Sequence, residues 1–339
     1  MGARRAGAGG VSAAMSAPRL AVVVPAYRAS ATLPRLLDSL ASGVERPDEV
    51  IVVDDGSPDF EPFSVPGLSV RWIRLEHRGP VAARNAGWRA AEAEWVAFVD
   101  SDCSVAPGWC AAYRAAIAAH ADAAVLEGAL HETYTAGFFR HWADNRRPGR
   151  YPTANIAYRR DVLAALGGLD PLFQWGRFYF REDSDLALRA LAFGPAIWVE
   201  DALVHHHGHR AGLWRKLREA WRYALDPPFV RRHGLVGLRI DGVVVGPWRL
   251  VAPRQISAVG VTLLWLAAVL WHPMVLAALV ATAIRAAFVV GREGCAAREV
   301  PMVVVEQLLE PLVVSGALAA GAVRMLAFHR TGGVPAHGL

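Results

Sequence analysis

The sequence predicts an α/β protein with a Rossmann-like, mostly parallel sheet flanked by helices, followed by C-terminal hydrophobic helices. Three observations predict it. Short continuous apolar runs alternate with helix-spaced leucines and alanines from Leu20 onward, polar residues gather just after those runs, and residues 255–284 contain no Asp, Glu, Lys or Arg. Strands alternating with helices through short loops predict βαβ units and a parallel sheet.

The elements follow in order. Leu20 to Val24 is an apolar run ending at Pro25, as expected of a buried strand. Leu33, Leu36, Leu37 and Leu40 then recur at helical spacing, with Ser30 and Thr32 available as caps. Glu49 to Val53 is a second strand, stopped by Asp54-Asp55-Gly56-Ser57-Pro58, and Val70 to Leu75 is a third. Pro80 to Ala93 has a helical pattern, and Trp95 to Val99 is a fourth strand, stopped by Asp100-Ser101-Asp102. Beyond Tyr151 the rhythm loosens: a strand over Thr153 to Tyr158, a helix over Ser184 to Phe193, short apolar runs before His205-His206-His207, and a basic amphipathic helix over Leu213 to Leu225.

The 339 residues suit roughly two structural units at about 150 residues each. With 54% hydrophobic and 20% charged residues and a mean hydropathy of +0.24, the chain is too apolar to be mostly disordered. The stretch 255–284 has 30 residues, about 45 Å as a helix and longer than the ~30 Å a bilayer core requires. His272-Pro273 in its middle leaves a kinked span and a hairpin of two shorter helices both open. Pro301 to Leu326 is a second apolar stretch, interrupted by Glu306, Glu310 and Pro311. The expected organisation is a disordered leader over 1–18, a catalytic-type domain over 19–235, a linker over 236–254, membrane-associated or transmembrane helices over 255–328 and a flexible tail over 329–339. The net charge of +5 comes almost wholly from arginine. It is not clustered with interleaved aromatics along one face, which argues against a nucleic-acid binder. Three irregularly spaced cysteines form neither a disulfide framework nor a zinc motif.

Two acidic motifs carry the chemistry. Asp100 and Asp102 end a buried strand, where paired carboxylates repel each other unless a divalent cation sits between them and a polyphosphate; Mg²⁺ and Mn²⁺ are both oxygen-site candidates. Asp54-Asp55, at the tip of the neighbouring strand, can reach the same crevice outside the carboxyl ends, where open α/β sheets bind ligands.

Val22-Val23-Val24-Pro25-Ala26-Tyr27, Val52-Val53-Asp54-Asp55-Gly56-Ser57, Gly79 to Gly87, Asp100-Ser101-Asp102 and Glu182 to Arg189 occur in the order and spacing of family-2 glycosyltransferases, which this chain resembles over about Leu20 to Gly208. The resemblance implies a GT-A fold and metal-dependent, inverting transfer of a sugar from a nucleotide-diphospho-sugar to an acceptor hydroxyl. It implies that Pro25 and Tyr27 line the nucleobase pocket, that Asp55 reads the base, and that Arg84 meets the diphosphate. Asp100 and Asp102 match the metal and diphosphate site, and Asp183 matches the catalytic base. Glu182 and Asn155 match positions near the acceptor. Trp175, in an aromatic segment that replaces the family's usual glycine-rich one, is expected to contact the acceptor. A histidine late in such domains can join the metal, and alternation along a strand sets His205 and His207 on one side, with His207 the expected ligand. The charge-free tail suggests a cell-membrane protein with its catalytic domain in the cytoplasm and a lipid-linked or envelope glycan acceptor. A retaining enzyme of the same fold, and a non-catalytic nucleotide-sugar-binding membrane scaffold, stay open as alternatives.

Overall fold

The computed structural model describes residues 18–133, 144–176, 178–207, 212–237, 243–245, 248–250, 253–271 and 274–330. The expected leader, apart from Pro18, lies outside the described residues, as do His209, most of the expected linker and tail residues 331–339.

The chain runs β1 (Leu20–Ala26), α1 (Leu33–Ala41), β2 (Glu49–Asp54), β3 (Val70–Arg74), α2 (Pro80–Ala90), β4 (Trp95–Val99), β5 (Cys103–Val105), α3 (Trp109–Ala119), β6 (Val125–Glu132) and β7 (Asn155–Arg159). It continues through α4 (Arg160–Leu166), a two-stranded hairpin of β8 (Gln174–Trp175) and β9 (Phe178–Tyr179), α5 (Glu182–Ala190) and β10 (Ala196–His206). Next come α6 (Leu213–Ala220), a 3₁₀ turn (Trp221–Leu225), α7 (Asp226–Gly237) and a small hairpin of β11 (Val243–Val245) and β12 (Trp248–Leu250). Three apolar helices follow: α8 (Pro253–Leu270), α9 (Met274–Glu293) and α10 (Val300–Arg330).

Eight strands form one mixed sheet in the order β3-β2-β1-β4-β7-β6-β10-β5. β3, β2, β1 and β4 are parallel, whereas β7 runs antiparallel to β4 and β6. The short strand β5 covers the far edge, antiparallel to β10. β1, β2 and β4 are apolar without alternation because both faces are covered. Leu20, Val22 and Val24 pack with α1 and α3 on one side, while Ala21 and Val23 pack with α2, α4 and α5 on the other. The strand order reverses beside β1, so the tips of β1, β2 and β4 open onto one crevice at the switch point.

The hairpin alternative holds for the first apolar stretch. Trp265 of α8 donates to Thr282 Oγ1 of α9 at 3.3 Å, and Arg285 near the end of α9 bonds to Ser257 near the start of α8, so the two helices run antiparallel. Two helical segments, Met274–Arg292 and Ala297–Met325, are long and apolar enough to cross a membrane by length and composition. Leu263, Leu266, Leu276 and Leu279 are exposed along this bundle. Inside it, Arg285 reaches Glu310 at 2.6 Å and Gln307 at 3.1 Å, tying α9 to α10.

Candidate active site

At the tip of β2, Asp54 closes its own turn by accepting from the Gly56 and Ser57 amides at 3.1 and 3.0 Å. Asp55 instead takes the Arg78 and Gly79 amides, both at 2.7 Å. It therefore fixes the loop that enters α2 and keeps further lone pairs for a ligand. Gly79 has a φ of 90°, and a Cβ there would meet the Gln174 side chain at 2.3 Å. Gln174 in turn donates to the Arg78 carbonyl at 2.8 Å. The β8–β9 hairpin is thus hooked over the loop that Asp55 holds. Pro25 ends β1 beside Val53. Tyr27 is exposed, with its ring centroid 4.3 Å from that of His77. His77 in turn lies 3.6 Å from Asp55 through Nδ1 and Oδ2, so the Tyr27 ring stands beside the loop that Asp55 holds.

Arg84 lies on α2 and is 2% exposed. One terminal nitrogen donates to Asp100 Oδ1 at 2.6 Å, and the other lies 4.0 Å from Glu182 Oε1. A single guanidinium therefore stands between the strand-tip carboxylates and the start of α5. Its Nε and Nη1 are buried without a hydrogen-bond acceptor, an expensive condition for a charged donor and one that a phosphate oxygen would relieve. Tyr179 of the hairpin faces the same groups. Burial of its hydroxyl, reinforced by Asp100, Glu182 and Asp102 and opposed by Arg84, pushes its pKa up to about 12.

At the start of α5, Glu182 is buried and Asp183 half-buried. Asp183 Oδ1 accepts from the Ser184 amide at 2.6 Å and from its hydroxyl at 3.1 Å, which fixes the carboxylate's direction. Burial is the main cause of a raised Asp183 pKa, against those hydrogen bonds and the positive charge of Arg181. Burial and the neighbouring Asp183 push Glu182 up to about 8, Arg84 opposing. The two carboxyls each disfavour the other's charge, so they titrate as a pair.

Arg181, which precedes this pair, adopts a left-handed φ of 72° and is 1% exposed. Its Nε donates to Asp226 Oδ1 at 2.7 Å, and Asp226 Oδ2 accepts from Gln255 of α8 at 2.8 Å. The aromatic rings of Phe180 and Phe229 lie 4.3 and 5.1 Å from the guanidinium.

Three expected positions differ in the structure. Asn155 was expected at the acceptor, but it is fully buried. Its oxygen accepts from Trp109 Nε1 and Tyr113 OH, both at 2.9 Å, and its nitrogen donates to the Ala129 and Ala202 carbonyls, both at 2.7 Å. All its hydrogen-bonding capacity seen here goes to joining α3, β6 and β10. Asn155→Ala is therefore expected to destabilise the fold by about 3 kcal/mol, since several buried groups lose a partner at ~1–3 kcal/mol each. Thermal denaturation measures this, and unchanged acceptor KM in the folded fraction separates it from a binding role.

The second difference is His207, expected at the metal. Its Nε2 lies 2.8 Å from Ser104 Oγ, while its neighbour His206 faces Asp102, with Nε2 3.5 Å from Oδ2. The other ring nitrogen of His206 is 3.2 Å from Glu132 Oε2. A register displaced by one residue sends the opposite face inward, and the pairing of His206 with both Glu132 and Cys103 sets that register. Burial alone would lower the His206 pKa, but the hydrogen bond to Glu132 and the charges of Asp102 and Glu132 raise it above its usual value. Ligand atoms of Asp102, Cys103 and His206 all lie within 4.8 Å of one another, a donor set that fits one divalent cation. Third, Trp175 packs against Ala220, Tyr223, Ala258 and Val314, with Arg324 over its ring. It stands at the seam between the sheet domain and the apolar helices.

Comparison with known proteins agrees with this architecture. A mannosyltransferase, PcManGT from Pyrobaculum calidifontis, solved with GDP-Man and Mn²⁺, superposes with a TM-score of 0.55 at 20% identity, covering 92% of this chain and 88% of that one. The sheet and its flanking helices are thus a GT-A fold. The model named "Glycosyl transferase family 2" matches residues 21–183, just under half of the chain. The pre-mycofactocin glycosyltransferase of Mycobacterium tuberculosis (strain ATCC 25618 / H37Rv) is 29% identical over 255 residues, covering 68% of this chain and 52% of that protein. The putative glycosyltransferase EpsH of Bacillus subtilis (strain 168) is 24% identical over 226 residues, covering 60% of this chain and 65% of that protein. The chain spans about half the length of the first of these relatives and under two thirds of the second.

Proposed function

We propose that the chain is an inverting glycosyltransferase that moves a sugar from a nucleotide-diphospho-sugar to the hydroxyl of a membrane- or envelope-linked acceptor, with its catalytic domain on the cytoplasmic side. The observation that carries this reading is Arg84, buried between Asp100 and Glu182 with donors left over. Its position suits the charged diphosphate of a donor, between the strand-tip acids and the Asp183 helix. The apolar helices support the membrane part of the reading.

In this mechanism Tyr27, Pro25 and Asp55 hold the nucleobase at the tips of β1 and β2. Arg84 turns its free N–H groups to the phosphate oxygens and keeps the leaving diphosphate in line. Asp102 and His206, with Asp100 on the same strand tip, would hold a divalent ion, Mg²⁺ or Mn²⁺, which would supply positive charge against the diphosphate. Glu182, pushed up to about 8, holds its proton at neutral pH, while Asp185 in the same turn is taken up by Arg189 and Arg232, which leaves Asp183 for the acceptor. Asp183 accepts the proton of the acceptor hydroxyl as that oxygen attacks C1 from the face opposite the diphosphate.

The direct test is a mass-spectrometric screen of UDP- and GDP-sugars with the detergent-solubilised chain and Mn²⁺. Release of nucleoside diphosphate from at least one donor is the expected result. Absence of both binding and release across the panel would remove the reading.

A further inference from the structure

At the seam between the sheet domain and the apolar helices, Trp175, Phe180, Trp221 and Tyr223 pack with Ala220, Ala224, Ala258, Val314 and Ala317. Two arginines lie over these rings. The Arg222 guanidinium is 5.1 Å from the Phe180 centroid and 5.8 Å from that of Tyr223. Arg324 of α10 is 5.0 Å from the Trp175 centroid. Arg181, Arg189 and Arg285, also shielded, are by contrast matched by acids: Asp226, Asp185 and Glu310. Among the described residues, Arg222 and Arg324 have no carboxylate and no hydrogen-bond acceptor. Arg222 Nε and Arg324 Nη1 are, in addition, shielded from solvent. Ring stacking orients a guanidinium but leaves its N–H edge unsatisfied, and a desolvated charged donor without an acceptor is costly.

We propose that Arg222 and Arg324 form an anion site that takes the phosphate ester of an amphiphilic acceptor at the edge of the apolar helices. The assignment rests on the glycosyl-transfer reading for its role, but binding can be tested without turnover. Three features point to a phosphate on an amphiphile. The planar N–H forks of arginine match phosphate oxygens. Phe180 lies three residues before Asp183, so an anion held at its ring stands beside the start of the catalytic helix. Exposed Leu263, Leu266, Leu276 and Leu279 on α8 and α9, with Trp214 77% exposed on α6, provide apolar surface for a hydrocarbon chain.

The experiment measures tryptophan fluorescence of the full chain in neutral detergent, titrated with farnesyl phosphate, farnesol or inorganic phosphate. Farnesyl phosphate is expected to bind about tenfold tighter than farnesol, and Arg222→Gln or Arg324→Gln each to remove about tenfold of that affinity. Arg222→Lys, which keeps the charge and the stem, is expected to fall between wild type and Arg222→Gln, so a folding defect cannot mimic the result. Competition by millimolar inorganic phosphate would support the site and show that the phosphate group alone suffices. Equal binding of farnesol and farnesyl phosphate, or wild-type affinity in both glutamine variants, would overturn the proposal. Nucleotide-sugar binding should stay within about twofold in every variant. A chain that binds farnesyl phosphate but neither binds nor cleaves any UDP- or GDP-sugar would disprove the catalytic reading and leave the anion site standing.

Discussion

Asp183→Asn is expected to abolish sugar transfer while leaving donor binding intact. The substitution keeps the side-chain oxygen that the Ser184 amide and hydroxyl hold but removes the basicity needed for the acceptor's proton. General-base catalysis contributes about 10²–10⁴-fold, so kcat should fall by at least about 10²-fold. Donor Kd, read by calorimetry, should move little. Retained transfer in the asparagine variant would remove Asp183 from its role. The pH profile gives a second reading. Asp183 works only when ionised, and burial raises its pKa, so transfer should rise with pH along an acid limb above the ordinary aspartate value of about 3.9. A limb at or below that value would show the carboxyl to be solvated.

Asp102→Ala should produce the second large loss. It removes an oxygen donor from the Asp102, Cys103 and His206 group and leaves His206 with Glu132 as its remaining acid partner. Loss of a cation's charge stabilisation is worth several kcal/mol, so donor turnover should drop by at least about 10²-fold. The check is a Mn²⁺ titration of donor hydrolysis: the wild type should respond and the variant should not. Equal turnover of the two proteins, with metal and after chelation, would take the metal away from this strand tip.

Much of the sheet domain was legible in the chain because its signals are local. Continuous apolar runs, one ending at Pro25 and two in acidic turns, predicted β1, β2 and β4 within two residues of their ends, and both acidic motifs stand at strand tips as expected. What the sequence did not carry was pairing. Nothing local says that β7 enters antiparallel between β4 and β6, and with that insertion Asn155 moves from a pocket edge to the interior. The histidine run shows the same limit: alternation separates His206 from His205 and His207, but only the partners on β5 and β6 decide which face looks at Asp102. Trp175 reads as an acceptor contact from its aromatic segment, and only the packing of α10 against the 221–225 turn gives it other neighbours.

Asp226 has a consequence for how this protein can be handled. Its two oxygens join Gln255, at the foot of the first apolar helix, to Arg181, the residue that precedes the Glu182–Asp183 turn. Breaking a buried ion pair costs about 3–5 kcal/mol, so neither end moves alone. A soluble fragment cut after α7 would strip one donor from Asp226 and slacken the hinge ahead of Glu182, so kinetics measured on such a fragment would belong to a differently braced enzyme.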